Sequence, residues 1–416
     1  MITTSVILFF LINVTNGVIN NVCPTYQDYI SIRTNHRCWY DVAADQNATT
    51  IITSYGYGVE THKVVTSDGY VITMFRIVNP YISSKRKVPV LLQHGLLYSG
   101  ACFIGKGKDS LGFILADAGY DVWLANMRGT EYSEEHVTFK KNDIQFWSFN
   151  VDDIGLYEIT AELNYIAQIN SENGKIIYIG HSMGGTTALM YASTFPEEAK
   201  HLVKLFILLA PNGGAINTRS IFLRSSALVM NSIVNIFINT EFAKLLANGA
   251  LPDRLASAAC LQTPFIMNAC INILNLVIMG LQRKTDASIP PILFNQFPSG
   301  TSLPVLKQIG DTTTIGLRAY DFGRLNVEKY GTLLPPIYNV SKIEVPIYLV
   351  HSNSDGVITK TDTDILFNRL LPQAKVFGKY EIVEEDFNHN DFLLGKTAKT
   401  VLYDKLLLLI NSIRYV

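Results

Sequence analysis

Lys175-Ile176-Ile177-Tyr178-Ile179 runs without a break into Gly180-His181-Ser182-Met183-Gly184, and Gly185 to Ser193 follows as a stretch compatible with a helix. A continuous apolar run of this kind suits a strand covered on both faces of a parallel sheet. A strand that turns at once into a helix through G-x-S-x-G holds its serine in a strained backbone conformation. Residues lacking Cβ two before and two after it let strand and helix approach closely. The Ser182 hydroxyl then projects at a helix N-terminus, where amide hydrogens and the helix dipole favour a developing oxyanion. Chance alone produces this five-residue pattern in long chains, and its meaning here comes from the strand before it and the helix after it.

Outward from this turn, similar apolar runs recur at Val88-Pro89-Val90-Leu91-Leu92, Tyr120-Asp121-Val122-Trp123-Leu124, Leu205-Phe206-Ile207-Leu208-Leu209 and Ile347-Tyr348-Leu349-Val350-His351. Helical stretches, for example Asp153 to Ile169, lie between most of them. Alternating strands and helices imply an α/β fold with a mostly parallel sheet flanked by helices. Nearer the start, Glu60 to Thr66 and Tyr70 to Phe75 alternate around Ser67-Asp68-Gly69, which predicts a β-hairpin.

One interval breaks the rhythm, since about 135 residues separate Leu209 from Ile347, far more than a crossover connection needs. A large, mainly helical insertion over residues 213–340 is expected, between core segments 18–212 and 341–416. Within it, Asn231, Asn235 and Asn239, and then Asn268, Asn272 and Asn275, form narrow polar stripes beside apolar residues. Such stripes would sit badly in hydrocarbon, so these segments read as helices of a cap over the site rather than as membrane spans.

A hydroxyl is a weak nucleophile at neutral pH and needs a positioned base. In α/β-hydrolases the order along the chain is serine, acid, histidine. Asp355 follows the run ending at His351, at the edge where such sheets bind ligands. Beyond it the only histidine of the eight is His389. Asp386 and Asp391 flank His389 as rival acids, but a chain neighbour is badly oriented towards Nδ1, which favours Asp355. Two amide donors should meet the oxyanion, that of Met183 and that of Leu96 in His94-Gly95-Leu96-Leu97. His94 is expected to support that loop, His181 to point elsewhere and His351 to close a strand. Clusters of His, Cys, Asp and Glu with metal-ligand spacing are not apparent, so neither metal nor cofactor is expected.

The chain of 416 residues is 48% hydrophobic and 17% charged, with a formal net charge of -1. That balance offers no basic field for nucleic acid. Val6 to Ile12 is an apolar run too short to span a membrane, and residues 1–17 read as a signal peptide. In an oxidising compartment Cys260 and Cys270 could close a small loop, Cys23 and Cys38 could tie down the N-terminal region, and Cys102 would remain free. The sequons at Asn47 and Asn339 fit glycosylation in the same compartment.

The quoted residues resemble a known family, the acid lipases that include gastric and lysosomal enzymes and insect relatives. The resemblance extends through Gly56-Tyr57-Gly58-Val59-Glu60-Thr61-His62, the loop at His94, Gly119 to Gly129, Phe146-Trp147-Ser148-Phe149, Tyr320-Asp321-Phe322-Gly323 and Asn388-His389-Asn390-Asp391-Phe392. It implies an α/β-hydrolase fold, a triad of Ser182, Asp355 and His389, oxyanion amides at Leu96 and Met183, and a cap disulfide near Cys260 and Cys270. It also implies triacylglycerols or sterol esters as substrates, met at a lipid–water interface by a secreted or lysosomal protein. Met183 stands where relatives commonly carry Gln, a change a backbone amide survives, and the cap around Ile289 to Phe294 departs further. Rival expectations are a carboxylesterase for small soluble esters and a non-catalytic lipid-binding protein on the same scaffold.

Overall fold

A computed structural model describes residues 19–82, 87–170, 174–237, 240, 259–280 and 285–413. The expected signal peptide and Asn239 lie outside the described residues, as do the side chains of Asn231 and Asn235. Among the described residues, nine strands join one sheet: β1 (Gly58–Val65), β2 (Tyr70–Val78), β3 (Pro89–Gln93), β4 (Asp121–Asn126), β5 (Glu135–His136), β6 (Ile176–His181), β7 (Val203–Leu209), β8 (Ile347–Ser352) and β9 (Lys379–Ile382). Their order is β1-β2-β4-β3-β6-β7-β8-β9, with β5 paired to β2. From β4 to β9 neighbours run parallel, and the β1–β2 hairpin adds an antiparallel edge.

Every residue of β3, β4 and β6 is buried, which is why these strands read as unbroken apolar runs. The hairpin forms where alternation predicts it, its turn held by Gly69 at φ 97° and by Thr66 Oγ1, which accepts the Tyr70 amide at 2.9 Å. Two strands were not legible. β5 spans only two residues, and β9 is a half-exposed edge whose Lys-Tyr-Glu-Ile carries no apolar run.

The predicted helix before β6 is present but composite, with a capping box at Asn150 and Asp153, a π turn at Ile154–Glu158 and an α-helix over Ile159–Ile169. The π turn places Glu158 against the buried Arg128 guanidinium, which also reaches Asp68 at 2.6 Å. Three segments, the hairpin turn, the loop after β4 and this helix, are thus joined through one cation.

Strand order reverses beside β3: its chain successor β4 lies on one side and β6 on the other. In open α/β sheets ligands bind outside the carboxyl ends of the strands at such a switch point. Residues 94–97 leave β3 there, and Ser182 leaves β6.

The interval between β7 and β8 is mainly helical where described: Ile221–Phe237, Pro264–Leu274, a π turn at Asn275–Met279, Ile289–Gln296 and Leu303–Asp311. Gly310 lets two of these helices touch, because a Cβ there would lie 2.7 Å from Ser226 Oγ. The second asparagine stripe does not form the polar face expected of it. Asn272 donates to Asn268 at 3.0 Å, whereas Asn275 turns inward and is buried. Phe265, Ile273 and Leu276 face water instead. Among the described residues no helix is long and apolar enough to cross a membrane. Disulfides join Cys23 to Cys38 and Cys260 to Cys270, and Cys102 is free and buried.

Candidate active site

Ser182 sits at φ 53° and ψ -116°, a backbone conformation costly for a residue with a Cβ. The turn is fastened by its neighbours: the Ser182 amide donates to Leu209 O at 2.9 Å, and Ser182 O accepts from Gly185 N at 2.9 Å. A Cβ on Gly180 would meet Gly184 O at 2.6 Å, and one on Gly184 would meet Gln93 O at 2.4 Å. Strand, turn and helix can therefore close only with glycine at both places. Gly95 is also close, since its Cβ would lie 3.0 Å from that of Ser182.

The loop after β3 is held by His94. Its Nε2 accepts the Met127 amide at 2.9 Å, so Nδ1 carries the proton and donates to Gly95 O at 2.8 Å. Burial pushes this imidazole down to about 4, so it stays neutral. Leu97 has a positive φ of 62°, and its carbonyl accepts from Ser299 N at 2.7 Å. Among the described residues, neither the Leu96 nor the Met183 amide donates to another protein group. Both residues border the cavity that Ser182 faces.

Asp355 and His389 arrive from two later loops. Asp355 Oδ2 accepts from His389 Nδ1 at 2.8 Å, while Oδ1 takes the amides of Val357 and Ile358 at 2.7 and 3.0 Å. These amides fix the carboxylate plane, and the carboxylate leaves Nε2 as the imidazole's acceptor. The rival Asp391 does not face the imidazole; its Oδ2 accepts from Asn388 N at 2.6 Å. His181 Nε2 donates to His389 O at 3.1 Å, and burial holds this imidazole far below the usual histidine range.

Ser182 and His389 border one cleft, whose free volume is about 50 Å³. Phe222, Leu223, Ile278, Met279 and Ile309 from the cap interval, with Phe297, make its far wall apolar. Sequence reasoning missed three polar residues here. Asn212 lines the cleft just past β7, a strand-end position that could have marked it. Tyr98 donates to Asn390 at 2.7 Å, linking the loop after β3 to the histidine loop. Asn388 lies directly before His389 in an amide-rich stretch and is buried. Among the described residues no group of His, Cys, Asp or Glu could hold a metal ion.

A strained serine at a strand-to-helix turn, sharing one cleft with an imidazole–carboxylate pair from beyond the next strands of the sheet, is the arrangement of the α/β-hydrolase class. The model of the α/β hydrolase fold matches residues 88–396, and that of a partial α/β-hydrolase lipase region matches residues 48–107. Lipase member K of Mus musculus is 32% identical over 89% of this chain and 92% of its own length. Gastric triacylglycerol lipase of the same species is 32% identical over 87% and 91%. A Crotalus adamanteus protein named "Putative lysosomal acid lipase/cholesteryl ester hydrolase" is 31% identical over 90% and 93%. The chain belongs to the acid lipase family of α/β-hydrolases.

Proposed function

We propose that this protein is a secreted serine lipase that hydrolyses carboxylic esters of fatty acids, triacylglycerols or sterol esters, through an acyl-enzyme. The observation that carries the reading is the shared apolar cleft, onto which the Ser182 turn, the His389 imidazole and two undonated amides all open. His389 Nε2 takes the Ser182 proton as the hydroxyl attacks the ester carbonyl. Asp355 keeps the imidazole in the required tautomer and stabilises its charged form. The amides of Leu96 and Met183 bind the oxyanion; the alcohol leaves, and water releases the fatty acid by the same route.

Residues 18–212 and 341–416 form the core in this reading, and residues 213–340 the cap. A wall of Phe222, Ile278, Met279 and Ile309 suits an acyl chain. Leu228, Phe265, Ile273 and Leu276 on the outer face of the cap suit a lipid–water interface. Secretion is supported by the two disulfides and by sequons at Asn47 and Asn339, whose side chains are exposed. A lysosomal destination would use the same features.

The test is to incubate the purified protein with a fluorophosphonate and to assay triolein, cholesteryl oleate and a short soluble ester across pH. Labelling that vanishes in Ser182→Ala, with turnover of the emulsified long-chain esters, is expected. Turnover of the short ester alone would assign a carboxylesterase, and absence of labelling would leave a lipid-binding scaffold.

A further inference from the structure

Asn388 makes contacts to three parts of the molecule through one buried side chain. Its Oδ1 accepts the His389 amide at 2.7 Å and the Gly356 amide at 3.4 Å, and its Nδ2 donates to Gly280 O at 2.9 Å. Gly356 directly follows Asp355, and Gly280 ends the π turn whose residues Ile278 and Met279 line the cleft. The same amide therefore touches the loop of the acid, the loop of the base and the cap wall.

Around it the cap stands directly on the acid loop. Gly356 N donates to Met279 O at 3.1 Å, while Gly356 O accepts from Arg219 N at 2.8 Å and Thr218 Oγ1 at 3.3 Å. Residues 218–219 lead into the cap helix Ile221–Phe237. The two backbones meet with no room for a side chain, since a Cβ on Gly356 would lie 2.5 Å from Gly280 Cα. A shift of the cap wall thus pulls on the residue next to Asp355, and Asn388 shares that pull with His389. Packed arrangements of this kind transmit displacement because they cannot deform smoothly.

We propose that Asn388 is a positioning residue that sets the Asp355–His389 geometry and makes it depend on how the cap is seated. The proposal rests on the hydrolase reading above, and it assigns Asn388 no contact with substrate. Filling the cleft presses on Met279 and, through Gly280 and Gly356, holds the acid and base loops in register.

Two measurements on full-length protein test it: kcat and KM per labelled site for a short soluble ester, and the low-field proton resonance of the His389 Nδ1–H bonded to Asp355. In Asn388→Ala the expected result is a kcat lower by about tenfold or more, as for a misplaced catalytic pair, with KM little changed and the resonance shifted or lost. Asn388→Asp, which keeps both acceptor contacts, should recover much of the resonance. Gly356→Ala, which wedges cap and acid loop apart while leaving Asn388 in place, should disturb it again. Wild-type kcat per labelled site with an unmoved resonance in Asn388→Ala would overturn the proposal, whatever happens to unfolding temperature. If wild type shows the resonance but takes no fluorophosphonate, the hydrolase reading fails, and the resonance in the three variants still decides the role of Asn388.

Discussion

The Met127 amide donates to His94 Nε2, and that one bond decides which ring nitrogen of His94 carries a proton and so what holds the Leu96 loop. His94→Ala leaves the buried Met127 amide without its partner, whereas the Gly95 carbonyl keeps the Tyr98 amide at 3.3 Å. A loss of about 1–3 kcal/mol is expected in urea denaturation for such an orphaned group. The same variant should lower the fluorophosphonate labelling rate, because Leu96 is no longer held.

Among the groups that shape the pH dependence of stability, His94 and Asp391 act with opposite signs. For His94, lowered by burial from 6.5 to about 4, the unfolded chain binds more protons in that window, so stability falls as pH drops from 6.5 to 4. Asp391 behaves oppositely: burial raises it from 3.8 to about 7, so the stability it adds is complete below 3.8 and is lost as pH rises through 7. Asn at 391 mimics the protonated acid and can still accept from Asn388. Thermal midpoints of wild type and Asp391→Asn should therefore nearly coincide near pH 4 and separate towards pH 8, wild type being the less stable.

Ser182 holds its unfavourable backbone angles for the sake of its hydroxyl. Ser182→Gly and Ser182→Ala should both abolish labelling and turnover, but glycine alone relieves the positive φ. Differential scanning should find the glycine variant more stable than the alanine variant by about 1 kcal/mol.

Bulk in the cleft should select against long acyl chains. Ile309 lines the wall contributed by the helix Leu303–Asp311. Ile309→Trp is expected to lower the ratio of long-chain to short-chain ester turnover by about tenfold or more, with the Ser182 labelling rate for a small fluorophosphonate preserved. Equal loss on both esters would place Ile309 outside the acyl path.

Much of the framework was legible because burial on both faces leaves an unambiguous trace. Strands β3, β4, β6, β7 and β8 all appear as apolar runs, and the glycines at 180 and 184 announce a contact too close for any Cβ. β9 escaped notice because an edge strand is half wetted and needs no apolar run. The asparagine stripe at 268, 272 and 275 misled because the helix passes into a π turn at Asn275, which rotates that residue inward. Of the site, Ser182, Asp355 and His389 could be chosen from chain order and motif. Asn388 and the Gly280–Gly356 contact could not, since the Asn388 amide reaches Gly280 across 108 positions and Gly280 meets Gly356 backbone to backbone in a contact that no local pattern marks.

The cap interval separates β7 from β8, so the serine turn is synthesised long before the carboxylate and the imidazole. While the nascent chain is still emerging, the hydroxyl of residue 182 has no proton acceptor from the C-terminal loops. In the proposed mechanism, ester cleavage must wait until β8 and the loops that follow it have joined the sheet.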